Sequence, residues 1–135
     1  MIDPLYVDTS AVLAVALGEA DGPRVQDAIA THAERGADVV SSRLLALEVR
    51  RVEVRERSAG RDARQLVAYA AAIRSLPLDE EVWRQAAAIE LHLKTLDSLH
   101  LATCAVAGAT LLTLDRTMGS VAASIGVTLH PLSRS

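Results

Sequence analysis

Hydrophobic and polar positions along the chain follow two patterns: short apolar runs and longer stretches with helical spacing. Apolar runs typical of buried strands occupy 5–7, 37–41, 110–114 and 127–130, and 76–78 is a brief extended piece. Stretches with helical spacing, often starting at Asp or Ser or ending at Gly, occupy 11–17, 22–35, 43–58, 61–73, 97–107 and 116–124, and another begins after Asp79. Strands that alternate with helices predict an α/β fold, a parallel sheet of about four to five strands with helices on both faces.

Composition adds limits to this fold. The chain has 135 residues, which suits one domain over residues 1–135 with a proper core. Half of the residues are apolar but only 2% are aromatic and none is Phe, so RNA binding by exposed stacking rings is disfavoured. A net charge of −3 gives no overall attraction to nucleic acid, and such binding would need a basic patch or a metal ion.

The cysteine content and the lengths of the apolar runs indicate the cellular compartment and disfavour a zinc site. Cys104 is the single cysteine, so no internal disulfide forms, and no Cys/His group has zinc spacing. Apolar runs fall well short of the ~20 residues that span a membrane, and the first stretch lacks the basic residues of a signal peptide. We therefore expect a cytoplasmic protein with no membrane partner.

Two predicted strands end at a carboxylate that leads into a helix. Asp8 follows 5–7 and precedes Thr9 and Ser10, and Asp115 follows 110–114. One interpretation is that each Asp caps the next helix, a role in which Asp is common. The other is a binding site, because ligands of open α/β sheets bind at the carboxyl edge of the strands.

Two further acids occupy positions that do not look like ordinary surface. Glu48 lies on the apolar stripe of the helix at 43–58, where a carboxylate is costly unless it is paired, binds a metal or reaches water from the edge. Asp97 opens the helix before the strand at 110–114. Its alternative role is an N-cap, with Leu96 and Leu101 forming a hydrophobic staple.

These four acids share a predicted location. The strand ends and the helix starts of right-handed crossovers lie at the same edge of a parallel sheet. Four carboxylates gathered there would repel one another, and a divalent cation removes that repulsion. Oxygen ligands without Cys or His favour Mg²⁺ or Mn²⁺ over zinc. The chemistry indicated is metal-dependent phosphodiester hydrolysis.

The chain resembles the PIN-domain ribonucleases, and specifically the VapC toxins of prokaryotic toxin–antitoxin pairs. The resemblance rests on four strings in order: Y-V-D-T-S-A with Asp8 and Ser10, L-A-L-E-V-R-R with Glu48, L-D-S-L-H-L-A with Asp97 and His100, and L-L-T-L-D-R with Thr113 and Asp115. It covers essentially the whole chain.

The resemblance implies a PIN fold and endonucleolytic cleavage of structured RNA that arrests growth. It also implies inhibition by a small cognate VapB-type antitoxin, and a homodimer. Asp8, Glu48, Asp97 and Asp115 would hold Mg²⁺ or Mn²⁺, and Ser10 and Thr113 would orient them. Many relatives carry a further acid and then an aromatic residue where this chain has Thr117 and Met118. One metal ion is therefore expected, and a second stays open.

Several other polar residues have two interpretations. Arginines are dense just after Glu48, at Arg50, Arg51, Arg55, Arg57, Arg61 and Arg64. Arg50 and Arg51, with Arg116 beside Asp115, are candidates for RNA contact; the alternative is a solvated helix face. His100 lies on the same helix face as Asp97, and a core or supporting role is expected rather than a general base.

Two other functions compete with the nuclease. A haloacid-dehalogenase-type phosphatase needs a second Asp where this chain has Ser10, and a phosphate-binding Lys, for which Lys94 is the single candidate. The other is a catalytically inactive PIN fold that serves as a binding scaffold. The presence of all four acids favours the nuclease.

Overall fold

The computed structural model describes residues 2–134. Within this range the chain forms four strands and seven helices, in an alternating order. They are β1 (Leu5–Val7), α1 (Thr9–Ala16), α2 (Gly22–Glu34), β2 (Val39–Ser42), α3 (Leu44–Ser58), α4 (Arg64–Ala71), β3 (Arg74–Leu76), α5 (Glu80–Ala87), α6 (Thr95–Val106), β4 (Thr110–Leu112) and α7 (Arg116–Ser124).

The four strands form one parallel sheet in the order β3-β2-β1-β4. In register, Leu5 pairs with both Val39 and Thr110, so β1 lies between β2 and β4. Because the strands are parallel, the carboxyl ends of β1, β2 and β4 reach the same edge of the sheet. The expected α/β fold is confirmed, with four strands.

Helices cover both faces of the sheet, because successive side chains of a strand point to opposite sides. Leu5 and Val7 of β1 are fully buried against α1, α2, α3 and α4. Tyr6, between them, is fully buried on the other face against α6 and α7. Helix α5 packs against α6 through Val82 and Ala102. Both faces are therefore closed by aliphatic side chains, as parallel sheets require.

One predicted strand is wrong. The segment 127–130 touches β4 through a single bridge, between Leu129 and Leu111, and is not a strand of the sheet. Two backbone hydrogen bonds form, from Leu111 N–H to Thr128 and from His130 N–H to the Leu111 carbonyl, each 2.8 Å long. The chain then turns at Pro131, which has no amide hydrogen to extend the ladder.

Helix starts also differ from the predictions. Helix α4 begins at Arg64 rather than near residue 61, because the Asp62 carboxylate accepts the Arg64 amide (2.9 Å) and holds a turn before the helix. Asp21 directly precedes α2, where an Asp commonly caps a helix, but it makes no side-chain cap bond and pairs with Arg134 instead. Asp79 does cap α5, accepting from the Val82 amide at 3.1 Å.

Among residues 2–134, no helix has the length and apolar character that a membrane crossing demands.

Close packing of α1 against α2 depends on Gly22. A Cβ at this position would lie 2.4 Å from the Ala14 carbonyl oxygen, which belongs to the backbone and cannot rotate away. We expect Gly22→Ala to lower the free energy of unfolding by about 2 kcal/mol, measured by chemical denaturation.

Gly36→Asn is the matched control. Gly36 has φ of +88° with no atom within 4 Å of its added Cβ, and Asn tolerates that conformation, so a loss below about 1 kcal/mol is expected. Equal stability of Gly22→Ala and the wild type would show that the two helices can shift apart at little cost.

Candidate active site

Two of the predicted acids are helix caps at the carboxyl edge of the sheet. Asp8 follows β1 and accepts the Ala11 amide at 3.1 Å, and Asp115 follows β4 and accepts the Met118 amide at 2.9 Å. The cap interpretation is therefore correct for both. It does not compete with a site, because a cap at this junction holds a carboxylate at the edge where ligands bind.

Asp8 is the most buried acid of the site, with 2% of its surface exposed. Its carboxylate accepts hydrogen bonds from the hydroxyls of Ser10 (2.7 Å, to Oδ1) and Thr113 (2.5 Å, to Oδ2). Burial raises the pKa of Asp8, and the hydrogen bonds from Thr113, Ser10 and the Ala11 amide only partly oppose this. A carboxylate in this position depends on those donors to remain ionised.

Thr113 and Ser10 join the ends of β1 and β4. The Thr113 hydroxyl donates to Asp8 and accepts the Asp115 amide at 3.0 Å. The Ser10 hydroxyl donates to Asp8 and accepts the Leu114 amide at 3.0 Å. Each hydroxyl thus donates a hydrogen bond to Asp8 and accepts one from a backbone amide in the segment that leads to Asp115. The structure brings both predicted supporting residues into contact with an acid.

Glu48 projects from α3 toward the same edge and is partly buried, its side chain 24% exposed. Its Oε1 accepts from Thr9 Oγ1 (2.9 Å) and His100 Nε2 (2.5 Å). Burial opposes ionisation, but the hydrogen bond and charge of His100 and the bond from Thr9 outweigh it and lower the pKa of Glu48. The predicted inward position of Glu48 is thereby stabilised by two donors.

His100 links three elements of the fold through its two ring nitrogens. It is 1% exposed, with Nδ1 2.6 Å from the Tyr6 hydroxyl and Nε2 on Glu48. A carboxylate can only accept, so Nε2 carries a proton and donates it to Glu48. The expected supporting role of His100 thus has a definite partner in Glu48.

Asp97 is not the N-cap of α6, contrary to one of the two interpretations. The helix begins two residues earlier, at Thr95, and Lys94 occupies the cap position. Asp97 lies in the first turn, where the positive end of the helix dipole favours an acid. Burial raises its pKa, and the charges of Asp115, Asp8 and Glu48 add to the increase, while His100 opposes it. The other three acids therefore each act electrostatically on Asp97.

The donor set at this edge consists of carboxylate oxygens, which suit a hard divalent cation. Among the described residues, Asp97 accepts no hydrogen bond, and the second oxygens of Asp115 and Glu48 have none either. Residues 2–134 contain no group of three or more His, Cys, Asp or Glu side chains close enough to hold a metal ion as they stand. The ligand chemistry fits a metal ion, while the carboxylates are spread apart.

Of the three arginines predicted to contact RNA, two are exposed next to a site acid, Arg116 in the chain and Arg51 along helix α3. Arg116 is the exposed first residue of α7, directly after Asp115. Arg51 is exposed one turn along α3 from Glu48, so both lie on one side of that helix. Arg50 points to a different side and pairs with Glu53. The positions of Arg51 and Arg116, and the pairing of Arg50 with Glu53, favour the first two over Arg50.

One cavity lies beside the site acids, and another lies away from them. A cleft of about 410 Å³ is lined by Ser10, Leu114 and Arg134, next to the residues that hold Asp8. A cavity of about 660 Å³ between α1, α2 and α4 has none of the four acids on its wall.

The sequence did not single out Thr9, Tyr6 or Ser133 for their contacts at the site. Thr9 stands in the string around Asp8, but nothing in that string indicates its partner Glu48, 39 positions later. Tyr6 precedes Asp8 by two positions but faces His100, 94 residues later in the chain. Ser133, which accepts the Thr113 amide at 3.1 Å, carries no local signal at all.

Repulsion among the acids predicts that Asp97→Asn stabilises the metal-free protein. Because the folded protein raises the pKa of Asp97, stability falls as pH rises from the ordinary carboxyl pKa through the raised one. In a chelator at neutral pH, we expect Asp97→Asn to melt roughly 2–4 °C higher than the wild type. The difference should vanish in acid, where Asp97 is protonated.

Asp62→Asn is the control with the opposite expectation. Arg64 lowers the pKa of exposed Asp62 to about 2, so removing this charge gives no stabilisation. A lower melting temperature for Asp97→Asn in chelator would mean that the dipole contribution of Asp97 exceeds the repulsion.

Residues 5–124 match the PIN domain. Among solved structures, the chain is similar to a chain of VapBC2 from Rickettsia felis, bound there to a DNA fragment from their promoter, with TM-score 0.76 and 10% identity over 93% of this chain and 96% of that chain. It is also similar to PAE2754 from Pyrobaculum aerophilum, with TM-score 0.64 and 23% identity over 90% and 87%.

At these identities the two structural likenesses carry the fold alone. No curated protein sequence matches the chain. The PIN domain match runs from the start of β1 to the end of α7 and includes Asp8, Glu48, Asp97 and Asp115. The chain therefore belongs to the PIN domain family.

Proposed function

We propose that this protein is a metal-dependent endoribonuclease that acts as the toxin of a VapBC-type toxin–antitoxin pair. PIN domains are generally nucleases. The observation that carries the proposal is the position of four acids near one sheet edge, where the charges of Asp115, Asp8 and Glu48 each raise the pKa of Asp97. The single domain expected over residues 1–135 is part of this proposal.

The ligands we propose for Mg²⁺ or Mn²⁺ are Asp8, Glu48, Asp97 and Asp115. A divalent cation there would offset the repulsion and stabilise the charge that develops on a phosphate during in-line displacement. The open oxygens of Asp97 and Asp115 are the ones free to move toward it, whereas Asp8 is held by three donors. We propose one ion, because Thr117 and Met118 supply no further carboxylate.

Each supporting residue would orient one particular acid of the site. Ser10 and Thr113 keep the buried Asp8 carboxylate ionised and oriented, since both donate to it. His100 and Thr9 occupy Oε1 of Glu48 and leave Oε2 for a ligand. Such supporting bonds commonly change metal affinity or activity by about 10–100-fold.

RNA is the proposed substrate, and its contacts would be local. The net charge of −3 gives no general attraction, so cations near the acids would have to hold the phosphates. Arg116 beside Asp115 and Arg51 one turn from Glu48 are the candidates that their exposed positions favour. Arg50 is a weaker candidate because Glu53 neutralises it.

The partners we propose are a VapB-type antitoxin and a second copy of the chain. The antitoxin is suggested by the similarity of the fold to the VapBC2 structure, in which that complex is bound to promoter DNA. A homodimer would cover part of the exposed apolar surface, which includes Trp83 (51% exposed) and Leu96 (44%).

One observation favours the inactive scaffold as a second candidate. Among the described residues, no three possible ligands are close enough to hold a metal ion together. A phosphatase is not proposed, because Ser10 stands where that chemistry needs an acid and its hydroxyl is committed to Asp8.

RNA cleavage by the purified, antitoxin-free protein separates the nuclease from the scaffold. We expect discrete cuts in total cellular RNA with Mg²⁺ or Mn²⁺ and none with EDTA. Asp8→Asn should fold but lose at least about a hundredfold in cleavage rate, and its expression should no longer arrest growth. Mapping the new 5′ ends gives the target.

Asp62→Asn, an exposed acid outside the cluster, should cleave like the wild type. If Asp8→Asn cuts RNA as fast as the wild type, the acids are not the catalytic centre. RNA left intact by a folded wild type that binds Mn²⁺ would favour the scaffold.

Arg116→Ala tests the phosphate contact. We expect kcat/KM for RNA to fall about tenfold and the slope of log affinity against log salt to shrink by about one. Arg84→Ala is the control, since Arg84 is exposed on α5 and pairs with Glu81. An unchanged salt slope for Arg116→Ala would exclude Arg116 as a phosphate ligand.

A further inference from the structure

The outer side of β4 is covered by the segment after α7, residues 127–134, which we call the return segment. Because β4 is the last strand of the sheet, its outer backbone groups have no strand to pair with. The return segment supplies partners at Leu111, whose amide and carbonyl bond to Thr128 and His130. Beyond His130 these strand-like bonds stop, and a different contact begins.

Ser133 bridges the end of β4 to the residue that follows it. Its hydroxyl accepts the Thr113 amide at 3.1 Å and donates to the Leu111 carbonyl at 2.8 Å. The next amide, that of Arg134, donates to the Thr113 carbonyl at 3.0 Å. Both backbone groups of Thr113 are thus held by the return segment. Thr113 has no exposed surface, so an unpaired amide there would be costly.

Thr113 is also the residue whose hydroxyl joins two of the acids. It donates to Asp8 and accepts the Asp115 amide, and both bonds need the Thr113 backbone at one position. A shift of Thr113 would remove a donor from the buried Asp8 carboxylate and release the backbone of Asp115 at once.

We infer that Ser133 is a positioning residue of the acid site, which fixes Thr113 and through it the carboxylates of Asp8 and Asp115. The inference rests on the proposed function, because it concerns the same acids. It adds a part of the chain that the family match does not include, since that match ends at residue 124. The ion pair between Arg134 and Asp21 ties the far end of the return segment to the start of α2.

Two substitutions of Ser133 by side chains of nearly equal shape, one with a hydroxyl and one without, test the positioning role. Ser133→Thr and Ser133→Val differ in one hydroxyl, so any steric strain is common to both. Ser124→Ala is the control, because the Ser124 hydroxyl also donates to a backbone carbonyl, that of Ser120 at 3.0 Å, but on the exposed side of α7. For each variant we would measure Mn²⁺ affinity by calorimetry, RNA cleavage, and hydrogen exchange of the Thr113 amide.

We expect Ser133→Val to bind Mn²⁺ about tenfold more weakly and to lower kcat with little change in KM for RNA. Its Thr113 amide should exchange faster. Ser133→Thr should restore all three properties, and Ser124→Ala should match the wild type. A residue that only adds stability would lower the melting temperature without changing Mn²⁺ affinity or kcat in the folded protein.

The measurements distinguish a failure of the positioning role of Ser133 from a failure of the proposed function. Equal Mn²⁺ affinity and kcat in Ser133→Val and Ser133→Thr, with an active wild type, would overturn the positioning role alone. A folded wild type that neither binds Mn²⁺ nor cuts RNA would overturn the proposed function and the inference with it.

Discussion

The buried carboxylate of Asp8 is the constraint around which this edge of the sheet is arranged. An ionised carboxylate away from water is costly unless donors surround it, and Asp8 is 2% exposed at the end of the central strand. Its donors come from the first turn of α1 and from the residue after β4. The neighbouring strands and the start of α1 are therefore tied together by one side chain.

The same bonds serve folding and the proposed chemistry. Asp8 and Asp115 stabilise the starts of α1 and α7 as caps, and those caps orient their carboxylates at the edge of the sheet. Glu48 and His100 connect α3 with α6, and His100 reaches Tyr6 in the sheet. The acids that repel one another are thus each fixed by a separate element, except Asp97, whose carboxylate accepts no hydrogen bond among the described residues.

Local pattern was enough to predict the strand–helix junctions and the inward face of Glu48, because burial and capping act over a few residues. Contacts between distant segments were not predictable: Thr9 meets Glu48 across 39 positions, and His100 meets Glu48 across 52. The start of α6 was misplaced because Leu96 and Leu101 fit a staple around Asp97 equally well. The apolar run at 127–130 suggested a strand, but Pro131 ends its pairing after one bridge.

We propose above that the four acids, Asp8, Glu48, Asp97 and Asp115, form one divalent-cation site. Anomalous diffraction from crystals soaked in Mn²⁺ measures this most directly, because it locates the ion independently of any activity. We expect one Mn²⁺ peak within coordination distance of carboxylate oxygens of Asp8, Asp97 and Asp115, with Glu48 closing the site. No peak at that edge, or a peak bound by other residues, would contradict the account.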